Sequence, residues 1–221
     1  MFDLNTSYLS SDGRSDRFQN IFISPTLTII ALCILSFIVG QIPGIGPFYQ
    51  NAFEFNPNYI LAKPWTLVTY IFLHSGFLHL FFNMFVLYFL GTTLERIIGK
   101  KQFLVIFFAS GILSAIGYSF LSYPIFNISP GPMVGASGAI YGVFAALTML
   151  EPDLRVYVYF VPMKLKYALL LFALFDFLMV NSSDMIAHTA HLSGILVGLY
   201  MGSRIKNTQQ RYHSPRNINR W

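Results

Sequence analysis

The sequence GASGAIYG, residues 135–142, places Ser137 between small residues at the start of an apolar segment. A serine hydroxyl becomes a nucleophile at neutral pH only when a neighbouring base removes its proton. His191 lies in a second apolar segment among glycines and other small residues, which allow two helices to come close. Ser137 and His191 therefore predict nucleophilic chemistry inside a membrane, provided that the segments around them span one.

The composition is that of a membrane protein. Of the 221 residues, 55% are hydrophobic and only 10% are charged, and the mean hydropathy is +0.57. A helix crosses the hydrocarbon core of a bilayer with about 17–25 mainly apolar residues. The sequence therefore predicts an all-α, polytopic membrane protein with six transmembrane helices, at about 24–42, 71–92, 102–122, 134–150, 165–180 and 185–203.

The basic residues predict the orientation, because Lys and Arg are retained at the cytoplasmic ends of spans. With the N-terminus inside, 13 of the 14 basic residues are cytoplasmic and only Lys63 lies outside. We expect a short cytoplasmic N-terminal segment (1–23), a six-helix domain (24–203) and a flexible, basic cytoplasmic tail (204–221). Anionic lipid headgroups explain the positive charge, so no nucleic-acid partner is expected.

Polar residues gather near the outer end of three predicted spans. His79 and Asn83 are four residues apart and share a helix face, where both can donate hydrogen bonds to a developing oxyanion. The unpaired N–H groups at the start of the helix that carries Ser137 can add further donors. Tyr141, one turn after Ser137, can support the imidazole of His191. The Pro- and Gly-rich segment before Ser137 allows this helix to begin below the membrane surface.

Glycines predict close packing between the fourth and sixth helices. After His191 they recur every four residues, at Gly194, Gly198 and Gly202. Small residues at this spacing let two helix backbones approach each other in lipid. Matching glycines on the fourth helix are Gly135, Gly138 and Gly142.

These motifs resemble those of the rhomboid intramembrane serine proteases, and the resemblance covers about residues 62–203. Ser137 in GASGAIYG resembles the nucleophile of that family. His191 in AHLSGILVG resembles its catalytic histidine in the last helix. HLFFN, residues 79–83, resembles the histidine and asparagine that assist the oxyanion.

Two further stretches extend the resemblance, and one position departs from it. PWTLVTYIFLH, residues 64–74, resembles the segment that leads into the second helix of the family. Gly91 with Glu95 resembles the GxxxE at the cytoplasmic end of that helix. Thr66 follows Trp65 where many rhomboids have an arginine, so any interaction made by that arginine must be replaced or absent.

The resemblance implies a six-helix, bacterial-type core in the cytoplasmic membrane, with membrane-protein substrates cleaved near its outer face. Catalysis would use a Ser–His dyad, and no metal or other cofactor is expected. Substrate would enter sideways from the lipid. The roles implied are nucleophile and base for Ser137 and His191, oxyanion donors for His79 and Asn83, dyad support for Tyr141, Gly135 and Gly138, and helix packing for Gly194 and Gly198.

Other interpretations of the same residues remain open. Ser137 can be a helix-packing residue, Tyr141 can be a core aromatic, and His188 is an alternative base one turn before His191. Asp176 in the fifth predicted span is costly to insert unless it is partnered or functional. It can be a third catalytic member, but we expect it to face the bundle interior or a hydrated crevice, since the family's fifth helix supplies no acid to a triad.

Two other classes of function also remain open for the whole protein. A transporter can place polar residues and broken helices at mid-depth, but this sequence has no inverted halves and its polar residues cluster near one face. A catalytically inactive relative that binds membrane proteins is the stronger alternative. Such relatives usually lack the serine or the histidine, and both are present here.

Overall fold

A computed structural model of the chain describes four stretches: residues 24–127, 129–158, 160–180 and 187–212. The predicted N-terminal segment and the end of the predicted tail lie outside the described residues. The helices are α1 (Pro25–Gly40), α2 (Gly46–Phe53), α3 (Thr66–Thr69), α4 (Phe77–Ile98), α5 (Lys100–Phe126), α6 (Ser137–Leu150), α7 (Leu165–Met179) and α8 (His188–Tyr212). The strands are β1 (Arg155–Val158) and β2 (Val161–Lys164).

The fold is mainly helical, as the composition predicts. By length and composition, α4 and α5 can each cross a membrane, whereas α1 and α6 are apolar but shorter. Helix length alone therefore does not establish the expected count of six spans. The prediction of an all-α chain misses one element, because β1 and β2 form an antiparallel hairpin between α6 and α7. The sequences of both strands contain valine, which favours extended backbone.

The second predicted span, 71–92, is wrong at its N-terminal end. Residues Tyr70–Phe72 form a 3-10 turn, and the backbone is extended at Leu73 and again at Gly76. An extended residue interrupts the hydrogen bonds from residue i to residue i−4, so α4 cannot begin before Phe77. His79 therefore lies in the first turn of its helix rather than two turns inside it.

The last helix, α8, continues into the segment that was expected to be a flexible tail. Residues 204–212 continue α8 as regular helix instead of forming a flexible segment. The Lys206 ammonium donates a hydrogen bond to the carbonyl oxygen of Met149, at 2.9 Å. This oxygen is near the end of α6, where a positive charge is favourable because the helix dipole is negative there. The remaining predicted tail, 213–221, is outside the described residues.

The glycine faces of α6 and α8 lie against each other. A Cβ atom added at Gly194 would overlap the carbonyl oxygen of Gly138, and one added at Gly198 would overlap that of Gly142. At Gly202 it would lie 2.9 Å from the Cα of Ala146. Side chains larger than hydrogen at these points would push the helices apart, so the glycines set the α6–α8 distance.

Glu95 ties α1 to α4. Its Oε2 accepts hydrogen bonds from the Ser24 hydroxyl (2.8 Å), the Thr26 hydroxyl (2.6 Å) and the Thr26 backbone N–H (3.1 Å). Gly91 lies one turn earlier, where an added Cβ would be 2.9 Å from the Thr26 methyl group. The GxxxE sequence therefore provides the space and the acceptor for the start of α1.

Candidate active site

Ser137 is the first residue of α6, and the chain before it is held by backbone hydrogen bonds. Met133 exchanges two of them with Phe55, at 3.1 and 2.7 Å. The N–H of Gly135 donates to the carbonyl oxygen of Tyr70 at 3.0 Å. Phe55 and Tyr70 belong to the connection between α1 and α4, and both are fully buried. These contacts position the start of α6 inside the protein, a feature that residue spacing alone could not reveal.

The start of α6 also supplies unpaired hydrogen-bond donors. Ala136 is the N-cap residue and makes no side-chain cap. The first helical hydrogen bond runs from the Ile140 N–H to the Ala136 carbonyl oxygen, at 2.9 Å. The backbone N–H groups of Ser137, Gly138 and Ala139 precede it, so α6 offers them no acceptor. They carry the positive end of the helix dipole.

The structure brings Ser137 and His191 together. His191 lies in the first turn of α8, and its Nε2 is 2.8 Å from the Ser137 Oγ. Tyr141, one turn along α6, stacks on the imidazole of His191. The close α6–α8 packing at Gly138 and Gly194 positions all of these side chains. Their chemical roles stay predictions.

The opposite edge of the His191 ring faces an acid. Its Nδ1 lies 2.9 Å from Oδ1 of Asp176, and the Nδ1 of His188 lies 2.6 Å from the same oxygen. All three side chains are buried. Asp176 therefore faces the bundle interior, as expected. Sequence reasoning did not foresee that this one carboxylate contacts both histidines.

His79 and Asn83 share the face of α4 that their spacing predicts. The His79 Nδ1 lies 3.1 Å from the Ser75 hydroxyl, and the Asn83 amide donates one hydrogen bond to the His79 carbonyl oxygen at 2.8 Å. An amide NH2 group has a second hydrogen, so Asn83 keeps a donor for another partner. Gly135 has a φ of 122°, and a Cβ there would lie 2.8 Å from the His79 Cε1 and Nε2. Glycine at 135 thus makes room for the imidazole.

A cavity of about 1210 Å³ brings these groups to one space. Its walls include Ser137, His191, His79, Asn83 and Tyr141. Helices α4, α6, α7 and α8 all contribute to it. A cavity of this size admits water and a ligand of at least drug-like size.

One side-chain cluster in the described part of the chain has metal-ligand chemistry. Possible ligand atoms of Asp176, His188 and His191 lie within 4.8 Å of one another. Carboxylate and imidazole are ligands that suit zinc. The short Nδ1–Oδ1 contacts are equally the geometry of a hydrogen-bonded network without metal.

Hydrogen bonds around Thr66, the position where many rhomboids were expected to have an arginine, hold the connection between α1 and α4. The Thr66 side chain is buried, and its hydroxyl donates to the Lys63 carbonyl oxygen at 2.6 Å. The Lys63 ammonium donates to both the backbone and the side-chain oxygen of Asn51, at 2.8 Å each. The Trp65 indole N–H donates to the Ala52 carbonyl oxygen at 2.9 Å. Lys63 and Trp65 thus join the turn before α3 to α2, and Thr66 closes the turn itself.

The comparison with protein families identifies the family of this chain. Residues 61–207 match the family described as the Rhomboid domain. This chain belongs to the rhomboid family. The match covers both Ser137 and His191 and confirms the resemblance drawn from the motifs. A rhomboid chain with these apolar helices is an integral membrane protein.

Several rhomboid proteins are similar to this chain. Rhomboid protease GluP of Bacillus subtilis is 40% identical over 134 residues, which are 59% of this chain and 25% of GluP. The human presenilin-associated rhomboid-like protein, mitochondrial, is 32% identical over 181 residues, 78% of this chain and 46% of that protein. Putative rhomboid protease YdcA of Bacillus subtilis is 30% identical over 185 residues, 82% of this chain and 90% of YdcA. The chain thus spans less than half the length of the first two.

Proposed function

We propose that this rhomboid protein is an intramembrane serine endopeptidase that cleaves transmembrane-helix substrates near the outer face of the membrane. The observation that carries the proposal is the 2.8 Å contact between the Ser137 Oγ and the His191 Nε2. This distance allows direct proton transfer from a hydroxyl to an imidazole. Membership of a family that includes rhomboid proteases supports the same activity.

Ser137 and His191 would act as a nucleophile and a general base. As the Ser137 Oγ attacks the scissile carbonyl carbon, its proton passes to the His191 Nε2. The resulting imidazolium then protonates the leaving amine, and the C–N bond breaks to leave an acyl-enzyme. Water, deprotonated by the same imidazole, releases the acid product and restores the serine. The proton balance closes with these two residues alone.

The oxyanion formed during attack would be stabilised by donors around the cavity. His79 and Asn83 on α4 supply side-chain N–H groups, and the start of α6 supplies backbone N–H groups. Loss of one donor of this kind costs about 10²–10³-fold in rate. Removing the Asn83 amide by Asn83→Ala is expected to lower kcat by such a factor.

The same proposal includes the membrane arrangement. The six longer helices of the described chain (α1, α4, α5, α6, α7 and α8) would form the six-helix bundle of the 24–203 domain, with both termini in the cytoplasm of a bacterium. The concentration of basic residues on one side supports this orientation. Substrates and lipid are the partners; neither nucleic acid nor metal is part of the proposal.

The proposed substrates are membrane-spanning helices that unwind easily. A serine can attack a peptide carbonyl only after the backbone hydrogen bonds of the helix open. The cavity beside Ser137 is large enough for an extended stretch of peptide. Substrate segments with glycine or proline near their outer end are therefore favoured, because these residues weaken a helix.

The proposal is tested with protein reconstituted in vesicles, a fluorophosphonate probe and a set of transmembrane substrates. We expect labelling and cleavage by the wild type, and neither by Ser137→Ala. The control is Ser203→Ala, because Ser203 lies far along α8 from His191 and its hydroxyl bonds only to the Tyr200 carbonyl oxygen. Cleavage that persists in the presence of EDTA is expected, since the mechanism uses no metal. Binding of substrate without Ser137-dependent cleavage would instead identify a membrane-protein binder.

A further inference from the structure

We infer that Asp176 is a positioning residue for His191, so that the reacting serine belongs to a Ser–His–Asp array rather than to a dyad. This inference rests on the proposed function and adds a third member to its catalytic unit. Asp176 is supplied by α7, the helix whose family counterpart was not expected to contribute an acid. His188 contacts the same carboxylate and forms a fourth member of the network.

The first argument is the arrangement around the imidazole of His191. Its two nitrogens have different partners: the Nε2 lies 2.8 Å from the Ser137 Oγ, and the Nδ1 lies 2.9 Å from the Asp176 Oδ1. A neutral imidazole has only one N–H. A carboxylate accepts hydrogen bonds and cannot donate, so it selects the tautomer with the proton on Nδ1. The Nε2 then has the free lone pair that a general base needs.

The second argument concerns charge during the reaction. Proton transfer from Ser137 makes His191 an imidazolium whose side chain is only 10% exposed, so most of the ring contacts protein and not water. Asp176 is 1% exposed, and its carboxylate is in direct hydrogen-bond contact with the ring that becomes charged. An anion at this distance stabilises the cation strongly in a low-dielectric environment. The carboxylate does not need to take the proton for this effect.

The third argument is that Asp176 is itself held in place. The Nδ1 of His188 lies 2.6 Å from the oxygen that contacts His191. His188 and His191 are three residues apart on α8 and therefore lie on one face, opposite Asp176 on α7. A buried acid on a transmembrane helix is costly unless it is partnered. Two imidazole contacts to one oxygen provide this partnership and fix the carboxylate toward α8.

The test is Asp176→Asn in the reconstituted protein, using a substrate that the wild type cleaves in a Ser137-dependent way. Asparagine keeps the size but places a neutral amide beside Nδ1. We expect kcat to fall by up to about 10⁴-fold, the loss seen when the acid of a Ser–His–Asp triad is replaced. KM should stay within about threefold, because Asp176 is not among the residues that line the cavity beside Ser137. Asp153→Asn, an exposed acid on the connection after α6, is the matched control.

A kcat within about threefold of the wild type in a folded Asp176→Asn variant overturns the inference while leaving the proposed protease intact. If the wild type itself shows no Ser137-dependent cleavage, the proposed function is wrong. Failure of the inference and failure of the proposed function are therefore distinguishable. A parallel rise in KM and loss of thermal stability, with kcat unchanged, would show a structural role only and also overturns the inference.

A second measurement keeps the test valid if Asp176→Asn does not fold. Nuclear magnetic resonance of protein labelled with 15N at histidine reports protons held between an imidazole nitrogen and a carboxylate, because these resonate far downfield. We expect such a proton on the His191 Nδ1 in the wild type and in Ser137→Ala, assigned by its absence in His191→Ala. If the folded wild type shows no hydrogen-bonded proton at this nitrogen, the inference is wrong.

Discussion

The ring of Tyr141 lies parallel to the imidazole of His191, with centroids 4.4 Å apart and planes at 16°. An aromatic pair of this kind contributes about 0.5–1.5 kcal/mol beyond its buried area. Tyr141→Ala removes the stacking surface and should lower kcat/KM by about 2- to 13-fold, since 1.4 kcal/mol corresponds to tenfold. Tyr141→Phe keeps the ring and is the matched control. Equal kinetics for the Ala and Phe variants would show that stacking does not orient His191.

The contact between Gly198 and Gly142 predicts a large effect of one methyl group. Gly198→Ala places a Cβ against the Gly142 carbonyl oxygen, so α6 and α8 must separate. Overpacking of this kind costs about 1–3 kcal/mol of unfolding free energy. Thermal unfolding in detergent measures the change. Gly40→Ala is the control, because no atom lies within 4 Å of its added Cβ; similar unfolding of both variants would refute the packing account.

The Glu95 contacts predict that α1 depends on one carboxylate. Glu95→Ala leaves the hydroxyl groups of Ser24 and Thr26 without this acceptor and should destabilise the protein by about 1–3 kcal/mol. Denaturant unfolding gives the free energy, and limited proteolysis gives the exposure of α1. Glu151→Ala, at an exposed acid, is the control. An unfolding curve of Glu95→Ala that overlays the wild type would show that the three hydrogen bonds contribute no net stability.

Asp153, which precedes the hairpin β1–β2 and lies outside the predicted membrane spans, makes a pH-dependent contact. Lys164 and Lys166 each lie 2.9 Å from the Asp153 carboxylate and lower its pKa from 3.8 to about 2. A carboxylate with a lowered pKa favours the folded state above its ordinary pKa, and this contribution is lost as the pH falls from about 4 to 2. The effect is small and salt-sensitive, because the pair is exposed.

A titration of Asp153 by nuclear magnetic resonance checks the shift directly. Its carboxyl carbon should titrate near pH 2 in the wild type and near its ordinary value when both lysines are replaced by Met. The difference should shrink in high salt. An unshifted titration in the wild type at low salt would contradict the ion pairs.

Parts of this structure were predictable because they depend on local chemistry. Apolar composition indicates helices in a membrane, the four-residue spacing of His79 and Asn83 places them on one helix face, and repeated glycines predict a close helix contact. These patterns follow from the helical repeat and need no knowledge of the partner helix. The motifs around Ser137, His191 and His79, taken in combination, were sufficient to recognise the family.

Other features could not be read from spacing. The late start of α4 at Phe77 follows the Ser75-Gly76 pair, a turn signal that the apolar residues on both sides outweighed in the prediction. The hairpin β1–β2 is too short to be detected in an apolar chain, and the helical extension to Tyr212 depends on the contact of Lys206 with the end of α6. Of these features, the helical extension is the one that a contact distant in sequence accompanies.

The amino-acid sequence alone determined that this is a helical membrane protein of the rhomboid family and which serine and histidine are candidates for chemistry. Composition, periodicity and short motifs are properties of single segments, so they are sufficient to identify the class of protein, its family and its candidate residues. Only the tertiary structure decided that Asp176 of α7 and two histidines of α8 share one carboxylate oxygen. Hydrogen bonds between helices depend on how those helices rotate and pack, which no single segment specifies.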